Sequence, residues 1–269
     1  MTQLPIQPPA EAAQTDPSRL ETRRIAGPTG VQRPTLVFLH EGLGSVSTWQ
    51  DFPDRLCQAV GLPGLIYSRQ GYGRSPALQH PLNADFLHLA ATEELPAVLA
   101  AQDITSAVLV GHSDGASIAV VRASQTQRAD CRIEALIAIA PHLFVEEICL
   151  TAIQRLSDRI AGEPERLGML AAHHDNPAEI FNAWSQAWLD PQFHQLDLRT
   201  EAAAIRCPVL AVQGSADQYG SLDQIRQLAS LAAHGQAVVL ADCRHSPHLE
   251  VPEQLLGTCR QFLESALRA

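Results

Sequence analysis

Lysine is absent from this chain of 269 residues, and all 19 of its positively charged side chains are arginine. Without a lysine amine the protein cannot form a Schiff base with pyridoxal phosphate or with a carbonyl substrate. It also lacks the lysine of a phosphate-binding P-loop, of a kinase strand and of a Ser-x-x-Lys pair. A general base in this protein must therefore be a histidine, a carboxylate, a tyrosine or a cysteine.

Positive charge is also scarce, because 19 arginines stand against 29 acidic residues and the net charge is −10. The longest arginine run is the pair Arg23 and Arg24, so we expect no nucleic-acid partner. No apolar stretch approaches the roughly 20 residues that span a bilayer, and residues 1–24 lack the apolar core of a signal peptide. We expect a cytoplasmic protein without a membrane partner, either a monomer or a homodimer.

Sequence signals for metals and cofactors are missing as well. His40 and Glu41 lack the second histidine of a zinc-binding His-Glu-x-x-His sequence, because residue 44 is glycine. The histidines and the aspartate at 173–175 have no partners at ligand spacing, which predicts a solvated turn. The Gly-x-Gly sequences at 42–44 and 71–73 lack the third glycine of a dinucleotide fingerprint. We therefore expect neither a metal nor a nucleotide cofactor.

Short apolar runs alternate with helical patterns along most of the chain. The apolar runs predict buried strands at 35–39, 64–67, 107–110, 133–139, 208–212 and 237–240. Helix-period spacing predicts helices at 83–101, with an interruption at Pro96, and at 116–128, 221–233 and 253–267. This alternation indicates an α/β fold with a mostly parallel central sheet covered by helices on both faces. Residues 1–18 show no periodicity and are predicted to be a flexible tail.

One segment interrupts the alternation of strands and helices. Residues 141–204 are helical in character and contain no convincing strand, which predicts a helical cap inserted into a core of residues 19–140 and 205–269. Trp184 and Trp188 stand four residues apart in this segment, so they share one helix face. The two tryptophans either pack the segment onto the core or contact the substrate directly.

The sequence Gly-His-Ser-Asp-Gly at 111–115 is the strongest chemical signal. It matches Gly-x-Ser-x-Gly and stands between a predicted strand and a predicted helix. A serine at the apex of such a turn has a strained backbone, and small flanking residues let strand and helix approach each other. The amides at the start of the helix would face the point where an oxyanion develops. Ser113 is thus a candidate nucleophile, and an ordinary helix N-cap is the alternative.

A serine nucleophile needs a general base, and the chain contains 11 histidines. In a strand-serine-helix architecture the base follows the last strand, at the carboxyl edge of the sheet. This position leaves His245 and His248. The carboxylate that orients the imidazole follows the preceding strand, where Asp217 stands. The chain order is then Ser113, Asp217 and histidine.

Several stretches resemble the α/β-hydrolase superfamily, and the resemblance covers about residues 20–269. They are His-Glu-Gly-Leu-Gly at 40–44, Ser-Arg-Gln-Gly-Tyr-Gly-Arg-Ser at 68–75, Gly-His-Ser-Asp-Gly at 111–115, Gly-Ser-Ala-Asp at 214–217 and His-Ser-Pro-His-Leu-Glu-Val-Pro-Glu at 245–253. The resemblance implies an α/β-hydrolase fold with a triad of Ser113, Asp217 and His245. It favours His245 over His248 as the base, because the last stretch is similar to the family's His-x-x-x-x-Glu-x-Pro-Glu.

The resemblance also implies an oxyanion hole built from two backbone amides. One belongs to Asp114, the residue after the nucleophile. The other is assigned to Gly42, with Leu43 as the alternative, because Glu41 stands where relatives have glycine. For His40 the resemblance implies a structural role, in which the ring hydrogen-bonds this loop.

We therefore predict a serine hydrolase that cleaves a carboxylic ester through an acyl-enzyme, without a cofactor. The candidate pocket residues favour a small apolar or aromatic acyl group, and they are Leu43, Leu143, Phe144, Trp184 and Trp188. Carbon–carbon bond hydrolases of meta-cleavage products and acyl-CoA thioesterases fit the same resemblance and are alternatives. A catalytically silent relative that binds a ligand is the alternative outside the enzymes.

Overall fold

The computed structural model describes residues 16–28, 33–128 and 130–268. Most of the tail predicted at 1–18 lies outside the described residues. The Asp16 side chain accepts a hydrogen bond from the Ser18 amide and starts a 3-10 turn over Pro17–Arg19. In the ranges described, no helix is long and apolar enough to cross a membrane.

A twisted sheet forms the centre of the molecule. Its strands are β1 Thr22–Ile25, β2 Thr35–Leu39, β3 Gly64–Tyr67, β4 Ser106–His112, β5 Arg132–Ile139, β6 Pro208–Gly214 and β7 His234–Leu240. They lie in the order β1-β3-β2-β4-β5-β6-β7, and every pair is parallel except β1 with β3. The carboxyl ends of β2 to β7 therefore meet at one edge of the sheet.

Helices connect the strands and cover the sheet. They are α1 Phe52–Val60, α2 Phe86–Leu89, α3 Leu95–Ala101, α4 Asp114–Ser124, α5 Glu147–Gly162, α6 Gly168–Ala171, α7 Pro177–Leu189, α8 Arg199–Ala204, α9 Asp223–Leu231, α10 Pro247–Glu250 and α11 Pro252–Ala266. Between α2 and α3 the chain forms a π turn over Ala90–Glu94. Four short 3-10 turns lie at Pro17–Arg19, Ser47–Trp49, Pro164–Leu167 and Phe193–Gln195.

Alternate side chains of the strands enter two separate hydrophobic clusters, one on each face of the sheet. Val37 and Leu109 belong to the cluster that packs under α3, α4 and α9. Phe38 and Val110 belong to the cluster that packs under α1 and α11. All four side chains are fully buried, which explains the continuous apolar runs at 36–39 in β2 and 107–110 in β4.

The α/β architecture with a mostly parallel sheet is confirmed. The antiparallel edge strand β1 has no counterpart among the predicted strands, because it contains Arg23 and Arg24 and offers no apolar run. The helix predicted over 83–101 is interrupted by the π turn just before Pro96, whose ring removes one backbone donor.

Residues 141–204, called the inserted segment below, join β5 to β6. They contain α5 to α8 and no strand, apart from an isolated antiparallel bridge between Phe144 and Asp197. The end of the segment, α8, packs against α4 and α9 of the core. The part formed by α5, α6 and α7 reaches the carboxyl edge of the sheet through contacts described below.

The crossing of β2, β4 and α4 leaves no room for a side chain at Gly115, where a Cβ atom would lie 2.0 Å from the Leu39 carbonyl oxygen. We expect Gly115→Ala to lower the free energy of unfolding by at least about 2 kcal/mol, because backbone must move. Gly257, exposed on α11, has no atom within 4 Å of its Cβ position. Gly257→Ala should raise stability by about 0.5 to 1 kcal/mol. Urea unfolding of both variants measures the two effects, and equal effects would contradict this account.

Candidate active site at the carboxyl edge of the sheet

Ser113 occupies the tight turn between β4 and α4. Its backbone lies in the left-handed region, with φ 53° and ψ −120°, a strained conformation for a residue with a side chain. The Ser113 amide donates to the Ile139 carbonyl at 2.9 Å, and the Ser113 carbonyl accepts from the Ala116 amide at 2.8 Å. These bonds hold the serine at the carboxyl edge of the sheet, ahead of the α4 amino terminus.

Asp217 and His245 come together at the same edge, from the loops that follow β6 and β7. The His245 Nδ1 lies 2.9 Å from each carboxylate oxygen of Asp217. Burial acts to raise the pKa of Asp217, but the His245 hydrogen bond and charge and the Tyr219 amide outweigh burial and lower that pKa. The carboxylate is therefore ionised at neutral pH and holds the imidazole with Nε2 facing away from it.

The loop that carries His245 is held from both sides. Glu250 accepts the amides of Arg244 at 3.0 Å and of Ser246 at 3.1 Å, the two residues that flank the histidine. The His245 carbonyl accepts from Nε2 of His112 at 2.8 Å. Because His112 directly precedes Ser113, this bond joins the turn at Ser113 to the loop of the candidate base.

His40 and Arg69 fix the peptide that precedes Gly42. The His40 Nδ1 lies 2.7 Å from the Glu41 carbonyl oxygen, and the Arg69 guanidinium donates to the carbonyls of His40 at 2.7 Å and Glu41 at 3.0 Å. Both side chains are buried. In a trans peptide the N–H points opposite to the carbonyl, so these bonds also set the direction of the Gly42 amide. The loop-bonding role expected for His40 matches this geometry.

Glu41, at the position where relatives have glycine, faces two further histidines. Its carboxylate lies 3.5 Å from Nδ1 of His112, whose ring centroid is 4.9 Å from that of His248. Burial acts to raise the pKa of Glu41, but His112, His248 and His40 outweigh it and hold that pKa far below its usual value. His248 thus belongs to a buried cluster with His112 and Glu41, and Asp217 pairs with His245 instead.

Asp114 is buried and its side chain accepts hydrogen bonds from both tryptophans of α7. The Trp184 Nε1 lies 3.0 Å from Oδ2, and the Trp188 Nε1 lies 3.2 Å from Oδ1. Burial raises the pKa of Asp114, although Arg69 and the two indoles oppose the rise. The sequence motif assigned a role only to the Asp114 backbone. An aspartate at the start of a buried, mostly apolar helix is a signal for the side chain as well, because such a carboxylate needs donors.

The solvated turn predicted at 173–175 is wrong for His174, which is 2% exposed. Its Nδ1 accepts the Gly73 amide at 2.9 Å, and its Nε2 donates to the Leu43 carbonyl at 2.9 Å. The His173 Nδ1 lies 2.7 Å from Oγ of Ser47. These contacts join the inserted segment to the core, a long-range pairing that local spacing cannot reveal.

The remaining candidate pocket residues lie in different surroundings. Leu143 is fully buried, and its amide donates to the Gln224 side chain at 2.7 Å. Phe144 is half-buried with the Arg199 guanidinium 5.5 Å above its ring. Leu43 is half-buried beside the candidate oxyanion loop. These contacts of Leu143 and Phe144 do not involve Ser113, Asp217 or His245. The Trp188 ring lies 5.0 Å from the His142 ring, which is itself 6.0 Å from the His245 ring, centroid to centroid.

A groove of about 560 Å³ opens between α5 and the loop of Asp217. Its lining is Glu147, Ile148, Thr151, Ala152, Arg155, Leu156, Arg159, Gln218 and Tyr219. The Tyr219 ring lies 4.7 Å from the His245 ring, centroid to centroid. Tyr219 therefore lies between the groove and the candidate base.

The sequence profile of the alpha/beta hydrolase family matches residues 36–258, most of the chain. The chain belongs to the alpha/beta hydrolase family. The fold and the strand order described above agree with this assignment. The matched range includes the turn at Ser113, Asp217 and His245.

A curated protein resembles this chain in sequence, and solved structures resemble it in fold. The biotin biosynthesis bifunctional protein BioHC of Cellvibrio japonicus is 27% identical over 266 residues, and the match covers 88% of this chain. The chain spans about half of that relative's length, 49%. The enol-lactonase of Burkholderia xenovorans LB400 superimposes with a TM-score of 0.71 at 22% identity, covering 91% of this chain and 96% of that one. A meta-cleavage product hydrolase of Pseudomonas fluorescens IP01 superimposes with a TM-score of 0.68 at 13% identity, covering 92% of this chain and 94% of that one.

Acid should destabilise this hydrolase through its buried histidines. Burial lowers the pKa of His248 to about 3, and His112 acts in the same direction. An unfolded histidine has a pKa of about 6.5, so between these values only the unfolded state binds the proton. The free energy of unfolding therefore falls as the pH decreases from 6.5 towards 3.

We expect His248→Gln to remove about 1.4 kcal/mol per pH unit of that slope between roughly pH 5.5 and 4.5. Urea unfolding at closely spaced pH values measures it. The same substitution at the solvent-exposed His80 is the control. Equal slopes in the wild type and in His248→Gln would contradict the assignment.

Proposed function

We propose that this alpha/beta hydrolase cleaves a carboxylic ester through an acyl-enzyme on Ser113. The observation that carries the proposal is the strained serine turn at the same sheet edge as the Asp217–His245 pair. We further propose that the inserted segment acts as a cap over this edge.

In this mechanism His245 is the general base. The bond of its Nδ1 to Asp217 leaves Nε2 to take the Ser113 hydroxyl proton as Oγ attacks the ester carbonyl. The resulting imidazolium is stabilised by the Asp217 carboxylate. It then gives the proton to the departing alkoxide, and the acyl group stays on Oγ. Water then attacks the acyl carbon and loses a proton to His245. His245 returns that proton to the Ser113 Oγ as the bond between Oγ and the acyl carbon breaks, which releases the carboxylic acid and restores the serine.

The negative oxygen formed in each attack needs hydrogen-bond donors. We assign them to the backbone amides of Asp114, at the start of α4, and Gly42, whose direction the bonds of Arg69 and His40 to the preceding carbonyl support. Leu43 is the alternative for the second donor. In other enzymes, loss of one such donor costs roughly 3 to 4 kcal/mol of transition-state stabilisation.

The substrate would reach Ser113 along the groove beside Tyr219. Its apolar lining, from Ile148, Ala152 and Leu156, suits an apolar or aromatic acyl group. The two tryptophans on α7 lie close to the nucleophile turn and would limit the size of the group that fits there.

The first test compares the wild type with Ser113→Ala. We expect the wild type to hydrolyse p-nitrophenyl esters and to bind a fluorophosphonate at one site, identified by mass spectrometry of the labelled peptide. Ser113→Ala should lose the label and lower kcat by at least about 10⁴-fold, because the acyl acceptor is gone. Ester turnover that survives in Ser113→Ala would contradict the serine mechanism.

The same assay separates the alternatives. Acyl-CoA and a dienone acid from aromatic ring cleavage are offered beside the esters, and kcat/KM ranks the three substrates. A preference of more than about 100-fold for the thioester or the carbon–carbon bond would replace the ester assignment. Sustained turnover of any of them contradicts a non-catalytic ligand-binding role.

The groove makes a separate prediction. Ala152→Phe fills it, so KM for a p-nitrophenyl octanoate should rise about tenfold, equivalent to ~1.4 kcal/mol, while KM for the acetate stays within about twofold. Ala161→Phe, on the exposed side of the same helix and outside the groove, is the matched control. Equal changes for both esters, or for both variants, would show that substrate enters elsewhere.

A further inference from the structure

The Asp114 side chain joins the nucleophile turn to the inserted segment. It is 1% exposed and accepts from Trp184 at 3.0 Å and from Trp188 at 3.2 Å, two indoles one turn apart on α7. We propose that Asp114 is a positioning residue, which holds α7 against Gly42 and thereby keeps both candidate oxyanion amides in place. This inference rests on the ester hydrolysis proposed above.

Trp184 and Asp114 lie against Gly42, whose backbone amide is the second candidate oxyanion donor. A Cβ atom built on Gly42 would lie 2.1 Å from the Trp184 Nε1 and 3.0 Å from Oδ2 of Asp114. The backbone of Gly42 therefore lies directly against the indole and the carboxylate. This crowding also explains why the glycine stands at 42 in this chain, beside the tryptophan.

A second set of bonds holds the amino-terminal end of α7 over the same loop. His174, just before the helix, donates to the Leu43 carbonyl and accepts the Gly73 amide. The loop of Gly42 and Leu43 is thus fixed on one side by His174 and on the other by the Asp114–tryptophan contact. Loss of either contact would free part of the loop.

The charge of Asp114 also requires its partners. The side chain belongs to the residue whose own amide would bind the oxyanion, and an unpaired carboxylate so close would oppose negative charge on the substrate. The two indole N–H groups and the favourable interaction with Arg69 offset this charge. Asp114 therefore holds α7 in position at little electrostatic cost to the reaction.

The test uses full-length Asp114→Asn, Trp184→Phe, Trp188→Phe and the triple variant. An oxyanion donor acts mainly in the transition state, so we expect Asp114→Asn to lower kcat about 10- to 100-fold and to change KM by less than about threefold. Rates are expressed per site labelled by fluorophosphonate at completion. Affinity for a trifluoromethyl ketone, which mimics the oxyanion, should fall by the same factor as kcat/KM.

Because both indoles act through the Asp114 side chain, their changes should add little to Asp114→Asn in the triple variant. Trp49→Phe is the matched control, since Trp49 is as buried as Trp188 and its Nε1 has no hydrogen-bond partner among the described residues. It should leave kcat within about twofold of wild type. A kcat of Asp114→Asn near wild type, or a fully additive triple variant, would overturn the positioning role and leave the proposed function standing.

A wild type that neither hydrolyses esters nor takes the label would instead refute the proposed function. In that case NMR measurement of hydrogen exchange at the indole N–H groups tests the contact of Asp114 with Trp184 and Trp188. Asp114→Asn should speed exchange at Trp184 and Trp188 by at least about tenfold and leave Trp49 unchanged. Unchanged exchange at all three indoles would refute the contact itself.

Discussion

The strained turn at Ser113 is the constraint on which the rest of the site depends. A left-handed backbone at a residue with a side chain persists only where its surroundings hold it. Here β4 and α4 supply that support, since the Gly115 backbone packs directly against β2 and the Ser113 amide is bonded to the end of β5. The sheet therefore supplies the rigidity, and the loops at its carboxyl edge supply the chemical groups.

Three acidic side chains around the turn each lie against a different partner. Asp217 holds His245, Glu41 lies beside His112, and Asp114 accepts two indole N–H groups. Without lysine, arginine supplies the buried cation, and the planar guanidinium of Arg69 binds two successive carbonyls in a way that a single ammonium would not match. The loop that carries Glu41 and Gly42 and the loop that carries His245 are therefore held by directional bonds as well as by apolar packing.

Much of the fold follows from local pattern. The largely buried strands β2 to β6 were predictable because each contains a continuous apolar run, and α11 because its apolar residues recur at helical spacing. The edge strand β1 could not be predicted in this way, because Arg23 and Arg24 leave it without an apolar run. Of the candidate site, motif and chain order indicated Ser113, Asp217 and His245, and the structure brings Asp217 and His245 into contact. The role of the serine remains a proposal.

By itself the sequence determined the α/β class, the serine turn and the order of the acidic and basic residues, because each depends on spacing within a few residues or on chain order. It did not determine that His174 is buried against Leu43, or that the Asp114 side chain meets Trp184 and Trp188. Those contacts join residues 70 to 131 positions apart. Only the folded chain decided them, because a hydrogen bond between distant residues depends on how the inserted segment packs on the sheet edge.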